Sequence, residues 1–168
     1  MKFSKNRLTF ISDSSSLILL AKAYLLNLLC DYSDLYITLD IKNEIEYESD
    51  DSYMIKNLIN SDKIIVRKIF DKHQIPSLDA GENSAIMLFK TILVDYLIID
   101  DKKAAMYCKR NSIPFINALL IPLYLYKMSA IDNEMVISKT QLLSKIGRYG
   151  PWIKEYVFNM LHEDLKKI

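Results

Sequence analysis

The chain has 168 residues, of which 51% are hydrophobic, and its formal net charge is +1. This length is typical of one ordinary domain with a real core, and the apolar content excludes a disordered chain. A charge so close to zero excludes a global basic field, so any nucleic-acid binding has to come from local patches.

Short apolar runs alternate with helical patterns along the chain. Strands are predicted at residues 8–12, 35–38, 64–69, 96–99 and 113–116. Helices are predicted at 17–29, 40–48, 52–60, about 79–94, 102–111, 118–128, 138–146 and 152–165. The alternation predicts an α/β domain with a mainly parallel sheet, followed by C-terminal helices.

The apolar segments predict a core and an interface rather than a membrane anchor. The longest stretch, residues 17–29, is interrupted by Lys22 and Asn27 and is too short to span a membrane, and no signal peptide is expected. Because this helix is apolar on nearly every face, we expect it to lie in the core or in an interface of a homodimer or a protein partner. Cys30 and Cys108 lack metal-site spacing, which predicts reduced, buried thiols in a cytoplasmic protein.

Two adjacent carboxylates, Asp100 and Asp101, directly follow the apolar run of residues 96–99. In a parallel sheet they lie at the carboxyl edge, where open α/β sheets place their ligands. One of them can cap the next helix, but side chains near a strand end diverge, so two caps are not expected. A divalent cation is the usual neutraliser of such a pair. The spacing does not decide which aspartate is the ligand.

Three further acidic positions are candidates for the same edge. Asp13 ends the first strand before three serines, where it can cap a helix or join Asp100 and Asp101. Glu44 lies beside an apolar pair on the helix after the second strand, and is either an inward ligand or an ordinary helical glutamate. Glu82 forms a capping-box pattern with Asp79, a structural role that can coexist with a functional one.

With these positions set out, the chain resembles the PIN-domain ribonucleases, including the VapC-type toxins of toxin–antitoxin pairs. The resemblance covers residues 9–130 and rests on the order and spacing of four segments: Ile-Ser-Asp-Ser-Ser-Ser-Leu-Ile at 11–18, Ile-Lys-Asn-Glu-Ile at 41–45, Leu-Asp-Ala-Gly-Glu-Asn-Ser-Ala-Ile at 78–86 and Leu-Ile-Ile-Asp-Asp-Lys-Lys-Ala at 97–104. The two-helix tail, around Gly-Arg-Tyr-Gly-Pro at 147–151, is similar to one branch of the family. The resemblance implies a three-layer sandwich, with residues 1–130 as the PIN-like nuclease domain and 131–168 as a helical extension packed on it.

The resemblance also implies a site and an activity. The four acidic positions of the family match Asp13, Glu44, Glu82 and Asp101, with Asp100 adjacent and Ser15 beside the metal. They imply an Mg²⁺- or Mn²⁺-dependent endoribonuclease that cleaves RNA through a metal-activated water, held by an antitoxin protein. The chain departs from the family at Ile99, where a threonine or serine is common, and at residues 102 and 103, where an arginine is common in the closest branch.

The residue types agree with metal-assisted phosphodiester cleavage. His73 and His162 lie far from the acidic positions in sequence, so a cation held by carboxylates has to activate the water instead. Lys102 and Lys103 either draw substrate phosphates to the site or form a solvated helix face.

Three other readings compete with the nuclease. A PIN-like domain without catalysis would serve as an RNA-binding or assembly module. A receiver-type phosphotransfer protein is disfavoured because its acidic pair follows the first strand, whereas here the pair comes late. A haloacid-dehalogenase-like phosphatase is disfavoured because the segment beginning at Asp13 lacks that class's second aspartate.

Overall fold

The protein is built around one five-stranded parallel sheet with helices on both faces. A computed structural model describes residues 7–48, 52–70, 74–76 and 78–165. The strands are β1 (Leu8–Ser12), β2 (Ser33–Thr38), β3 (Ile64–Arg67), β4 (Tyr96–Ile98) and β5 (Phe115–Ile116), in the spatial order β3-β2-β1-β4-β5. The α/β class and the parallel sheet that the sequence predicts are confirmed.

Nine α-helices fall within the described ranges. They are α1 (Ser14–Lys22), α2 (Leu26–Tyr32), α3 (Leu39–Glu48), α4 (Ser52–Asn60), α5 (Ala80–Thr91), α6 (Lys102–Arg110), α7 (Ile121–Lys127), α8 (Asn133–Ile146) and α9 (Pro151–Leu165). The last two helices contribute Val136, Leu143, Val157 and Leu161 to the same hydrophobic core as the sheet. A salt bridge of 2.8 Å between Lys127 and Asp164 also joins α7 to α9.

The apolar segment predicted as one helix at 17–29 is two helices, so that prediction is wrong in its details. The first begins at Ser14, directly after Asp13, and the two helices meet at an angle of 108°. Tyr24 lies in the break with a φ of 56°, in the left-handed region, and its side chain is exposed. The bend allows a segment that is apolar all round to be buried, since Leu17 and Leu29 on either side of it are both fully buried.

Several predicted boundaries are also wrong. The strand predicted at 113–116 is only two residues long, and the helix predicted at 118–128 is a short 3-10 turn (Ala118–Leu120) followed by α7. Helix α8 begins five residues before the predicted start, because Asp132 caps it by accepting a hydrogen bond from the backbone N–H of Met135 at 2.8 Å.

The strand register brings the ends of β1 and β4 together. Ser12 is paired with Ile98, and the backbone N–H of Asp13 donates to the carbonyl of Ile98 at 3.1 Å. Asp13 and Asp100 therefore leave the sheet side by side at its carboxyl edge, although 87 positions separate them in the chain.

No single helix in the described ranges is long and apolar enough to cross a membrane, and α1 with α2 meets the length and composition test only as a bent pair. Cys30 and Cys108 are free and buried, as predicted, and burial raises the pKa of both thiols to about 12.

Candidate active site

Asp13 is the most enclosed carboxylate of the site. Its side chain is 3% exposed, caps α1 by accepting from the backbone N–H of Ser16 at 2.7 Å, and accepts from the hydroxyl of Ser15 at 3.1 Å. The backbone N–H of Asp100 lies 3.4 Å from its second oxygen. Burial, followed by the nearby charge of Asp100, raises the pKa of the Asp13 carboxyl to about 6.

Asp100 lies beside Asp13 and is held from three directions. It accepts hydrogen bonds from the hydroxyl of Ser16 at 2.8 Å and from the backbone N–H of Ala118 at 3.2 Å, and the hydroxyl of Tyr149 faces it. Burial raises the pKa of Asp100, and the hydrogen bonds from Ser16 and Ala118, together with the nearby Tyr149 hydroxyl, partly offset the rise. Because polar groups fix both of its oxygens, Asp100 has a set orientation toward the cleft.

Glu82 approaches the same edge from the first turn of α5. Its backbone N–H donates to the Asp79 carboxylate at 2.7 Å, and its own carboxylate accepts from the Asp79 backbone N–H at 3.3 Å, which confirms the predicted capping box. Burial raises the pKa of Glu82 to about 7, with further contributions from the charges of Asp79 and Asp101. The capping role and a place at the acidic edge thus coexist.

Asp101 begins α6 and caps it. One of its oxygens accepts from the backbone N–H groups of Lys103 at 2.6 Å and Ala104 at 3.0 Å. Of the adjacent pair, Asp101 is therefore the helix cap, whereas Asp100 lies next to Asp13. Lys102 and Lys103 are both exposed, but only Lys102 lines the cleft.

Glu44 does not line the cleft and lies beside Gly81, in the first turn of α5. Its carboxylate packs against Gly81, so closely that a Cβ at Gly81 would lie within 2.6 Å of both carboxylate oxygens. Glycine at position 81 is thus what admits the Glu44 side chain to the first turn of α5. The predicted catalytic role of Glu44 stays a prediction, and its position favours a role through that turn.

A buried pair of hydroxyls attaches α5 to the sheet. The hydroxyls of Thr38, at the end of β2, and Ser84 lie 2.6 Å apart, and Ser84 also donates to the carbonyl of Gly81 at 2.9 Å. The backbone N–H of Ile41 donates to Thr38 in turn at 3.2 Å. These bonds fix the start of α5, and with it Glu82, relative to the strand ends.

The turn between α8 and α9 completes the cleft, a contribution that the sequence did not predict. Residues 146–149 line it together with the acidic residues. Tyr149 carries a buried hydroxyl that faces Asp100 without reaching the geometry of a hydrogen bond, and burial and the charge of Asp100 raise its pKa. In the sequence, only the Arg-Tyr pair flanked by glycines at 147–150 could have indicated that this turn reaches the cleft. Asn117 directly follows β5 at the same sheet edge. Its side-chain amide oxygen is also buried and has no hydrogen-bond partner among the described residues.

The resulting cleft has a volume of about 620 Å³ and a strong surplus of negative charge. Its titratable lining is five carboxylates, one tyrosine and two cations: Asp13, Asp79, Glu82, Asp100, Asp101, Tyr149, Lys102 and Arg148. The structure pairs none of the carboxylates of Asp13, Glu82, Asp100 and Asp101 in a salt bridge with a cation in its described ranges. His162 is exposed on α9 outside the lining, and His73 lies outside the described residues.

A family model described as a PIN domain matches residues 9–167 of the chain. The chain belongs to the PIN-domain family. The match includes α8 and α9, so the C-terminal helices, whose connecting segment is similar in sequence to one branch of the family, fall within the matched region. PIN domains are generally nucleases that bind nucleic acid, and they typically use divalent metal ions.

Comparison with solved structures finds a weak similarity, and comparison with curated proteins finds none. A PilT N-terminus domain protein from the hyperthermophilic archaeon Sulfolobus solfataricus P2 is 17% identical, with a TM-score of 0.42, over 79% of this chain and 93% of that one. No curated protein matches the chain.

The residues of this PIN domain fit a hard divalent cation by their chemistry. Carboxylate oxygens are the ligands that Mg²⁺ prefers. Burial first, and then the charges of neighbouring carboxylates, raise the pKa values of Asp13 and Glu82, and a bound cation would offset both effects. In the described ranges no three acidic, histidine or cysteine side chains are arranged as a ready ligand set. Mg²⁺ usually binds through one or two carboxylates together with water and substrate phosphates, so the cleft suits a cation bound jointly with substrate.

Proposed function

We propose that this PIN-domain protein is a metal-dependent endoribonuclease that uses Mg²⁺ or Mn²⁺. The observation that carries the proposal is the cleft itself, in which buried carboxylates with raised pKa values share one sheet edge and form no salt bridge with a cation in the described ranges. Such an arrangement disfavours the metal-free ionised state and favours a bound cation.

The proposed roles follow from where each residue lies. Asp13 and Asp100, adjacent at the ends of β1 and β4, would hold the cation, with Asp101 and Glu82 at the same edge. Bound there, the cation would orient and deprotonate a water and neutralise charge on the phosphate. Ser15 orients the Asp13 carboxylate through its 3.1 Å hydrogen bond. Two further roles are proposed from the family resemblance and from charge. Glu44 would be the fourth acidic catalytic residue, and Lys103 would contact RNA together with Lys102.

The separating experiment is cleavage of varied single-stranded and structured RNAs with Mn²⁺ or Mg²⁺. The wild type is compared with Asp13→Asn and Asp101→Asn, because asparagine can still cap α1 and α6 while it removes the charge. Asp40→Asn is the matched control, since Asp40 is exposed and lies outside the cleft. We expect wild type and Asp40→Asn to cleave, and the two cleft variants to lose about 100-fold or more of the rate.

The alternative function is a PIN-like module that binds RNA without cutting it. Wild-type protein that binds RNA but leaves every substrate intact with both metals would favour this module. Cleavage that survives both cleft substitutions would instead point to a contaminating nuclease or to a different site.

We further propose that the protein acts in the cytoplasm as the toxin of a toxin–antitoxin pair and has an antitoxin or a second copy as its partner. Large apolar side chains that remain exposed support a protein contact, notably Leu93, Phe70 and Trp152 at 99%, 82% and 71% exposure. Growth arrest on expression that is absent for Asp13→Asn and is relieved by the product of an adjacent reading frame is the expected result. Sedimentation at high concentration tests the homodimer, and a strictly monomeric profile would remove it.

A further inference from the structure

Arg148 is the cationic residue that the turn between α8 and α9 contributes to the described lining of the cleft. It lies in the turn between α8 and α9, its side chain is exposed, and it lines the same cleft as Asp13 and Asp100. Lys102 is the other cationic residue of the described lining and comes from the start of α6.

The two neighbours of Arg148 fix the path of this turn. Gly147 donates its backbone N–H to the carbonyl of Leu143 at 2.8 Å, and a Cβ at Gly147 would overlap the ring of Tyr149. The ring can therefore fold back against residue 147 only because that residue is glycine, and the buried Tyr149 hydroxyl then faces Asp100. Arg148 therefore lies between Gly147, whose backbone N–H bonds to α8, and Tyr149, whose hydroxyl faces Asp100.

The guanidinium of Arg148 has no partner in the described part of the chain. No hydrogen bond or salt bridge joins it to the carboxylates that line the same cleft. A guanidinium presents donors in a planar fork that matches the oxygens of a phosphate, and its charge persists at every physiological pH. A cleft with five carboxylates would otherwise repel a polyanion, so an unpaired cation at its mouth has a clear chemical use.

We propose that Arg148 binds a backbone phosphate of the RNA substrate, and that the turn between α8 and α9 is therefore part of the substrate site. The inference rests on the proposed function, because it takes the acidic cleft as the place where RNA is cut. The turn between α8 and α9 would then help to attract a polyanion to a negatively charged cleft. Lys102, at the start of α6, would have the same role.

The test is RNA binding measured apart from cleavage. An end-labelled single-stranded oligonucleotide of mixed sequence is titrated, by fluorescence anisotropy, with Asp13→Asn protein that also carries Arg148→Gln or Arg148→Lys. Lys145→Gln is the matched control, because Lys145 is an exposed cation in the last turn of α8 that does not line the cleft. Thermal unfolding of each variant checks that the fold is intact.

We expect Arg148→Gln to raise Kd about 10-fold, as the loss of one charged hydrogen-bonding partner does. The slope of log Kd against log salt should fall by about 0.7, the contribution of one phosphate contact to a single strand. Arg148→Lys should give an intermediate Kd, and Lys145→Gln should change Kd less than about 2-fold.

The outcomes separate this inference from the proposed function. If Arg148→Gln and Lys145→Gln weaken binding equally, or if the Asp13→Asn protein binds no RNA, the assignment of Arg148 is overturned. If Arg148→Gln alone weakens binding and lowers the salt slope, while wild-type protein cleaves no RNA, the phosphate contact stands and the nuclease proposal fails.

Discussion

At the level of the residue, Asp13 stabilises the fold through its position as a helix cap and destabilises it through its buried negative charge. Its carboxylate caps α1, which stabilises that helix, yet it is buried next to Asp100. Capping requires only an oxygen acceptor, and an asparagine side chain supplies one equally well. The negative charge therefore contributes little to the cap and raises the free energy of the folded state, as is common for residues kept for a site.

Asp13→Asn is expected to stabilise the metal-free protein at neutral pH. The folded carboxyl keeps its proton up to a pKa of about 6, against an ordinary value of 3.8, so wild-type stability falls as the pH rises between these values. The amide has no such loss. In EDTA at pH 7.5 we expect a gain of about 1–3 kcal/mol in the free energy of unfolding, shrinking toward zero near pH 4.

Urea unfolding of both proteins across this pH range measures the difference, with Asp40→Asn as the control for an exposed aspartate. A variant that is less stable than wild type at pH 7.5 would show that the Asp13 charge supports the fold.

At the level of the element, the first turn of α5 is fixed by contacts from two directions. The Thr38–Ser84 hydroxyl pair attaches it to the end of β2, and the Glu44 carboxylate of α3 occupies the space beside Gly81. Neither contact includes Glu82, yet both determine where Glu82 points. A substitution at either contact is therefore expected to shift the Glu82 side chain in the cleft, although neither contact touches Glu82 directly.

Gly81→Ala is expected to couple with Glu44. In a helix, alanine is usually more stable than glycine by up to about 1 kcal/mol, but here the added methyl group would displace the Glu44 carboxylate. We expect Gly81→Ala to give no gain in wild type and a gain of about 0.5–1 kcal/mol in a Glu44→Ala background, a coupling that a double-mutant cycle measures.

Gly150→Ala serves as the control, because a Cβ at Gly150 would meet only Trp152, at 3.8 Å. It should show no coupling with Glu44→Ala. Additive effects of Gly81→Ala and Glu44→Ala would contradict the packing described for the α5 turn.

Elements whose ends are coded locally could be predicted from the sequence. The strand before Asp13, the capping box of Asp79 with Glu82 and the strand before Asp100 each depend on neighbouring residues, and the parallel register then brings them to one edge. For the adjacent aspartates the sequence left a helix cap open as an alternative to metal ligation, and Asp101 is the residue that caps α6.

Elements whose form depends on distant packing could not be predicted. The break at Tyr24 carries no glycine or proline, and burial of the leucines on both sides selects it. The approach of Tyr149 to Asp100 joins residues 49 positions apart, and no local pattern encodes it. Likewise, the helical pattern left open whether Glu44 faces inward and could not show that Gly81 makes room for it.

At the level of the whole molecule, Tyr124 connects three parts of the fold. Its side chain is fully buried in α7, its hydroxyl donates to the carbonyl of Tyr32 at 2.7 Å and accepts from the backbone N–H of Leu8 at 3.3 Å, and its ring meets Phe10 edge to face. It thus ties α7 both to the end of α2 and to the start of the central strand.

Tyr124→Phe is expected to lower the free energy of unfolding by about 1–3 kcal/mol, because it leaves a buried donor and a buried acceptor without this partner. Tyr156→Phe, an exposed position on α9, should have almost no effect. Chemical denaturation of the two variants gives the comparison, and equal stabilities would show that water replaces the Tyr124 hydroxyl.

Metal binding is expected to stabilise the whole domain. With Mn²⁺ at about 100 times its Kd, the stabilisation is about 2.7 kcal/mol, which corresponds to a rise in Tm of roughly 5–11 °C for a domain of this size. The rise should be larger at pH 8 than at pH 6, because Asp13 and Glu82, with pKa values of about 6 and 7, lose their protons over that range. Differential scanning fluorimetry should show the rise for wild type and Asp40→Asn but little for Asp13→Asn.

The central position of β1 has a consequence for the order of events during synthesis. β1 is made before its neighbour β4, which follows about 86 residues later, a delay of roughly 4–17 s at ordinary ribosomal rates. Until then Asp13 has no Asp100 beside it, and Arg148 and Tyr149 come later still. A nascent chain therefore carries no assembled cleft until residue 149 has been made, and an enzyme that cuts RNA in this cleft would stay inactive until then.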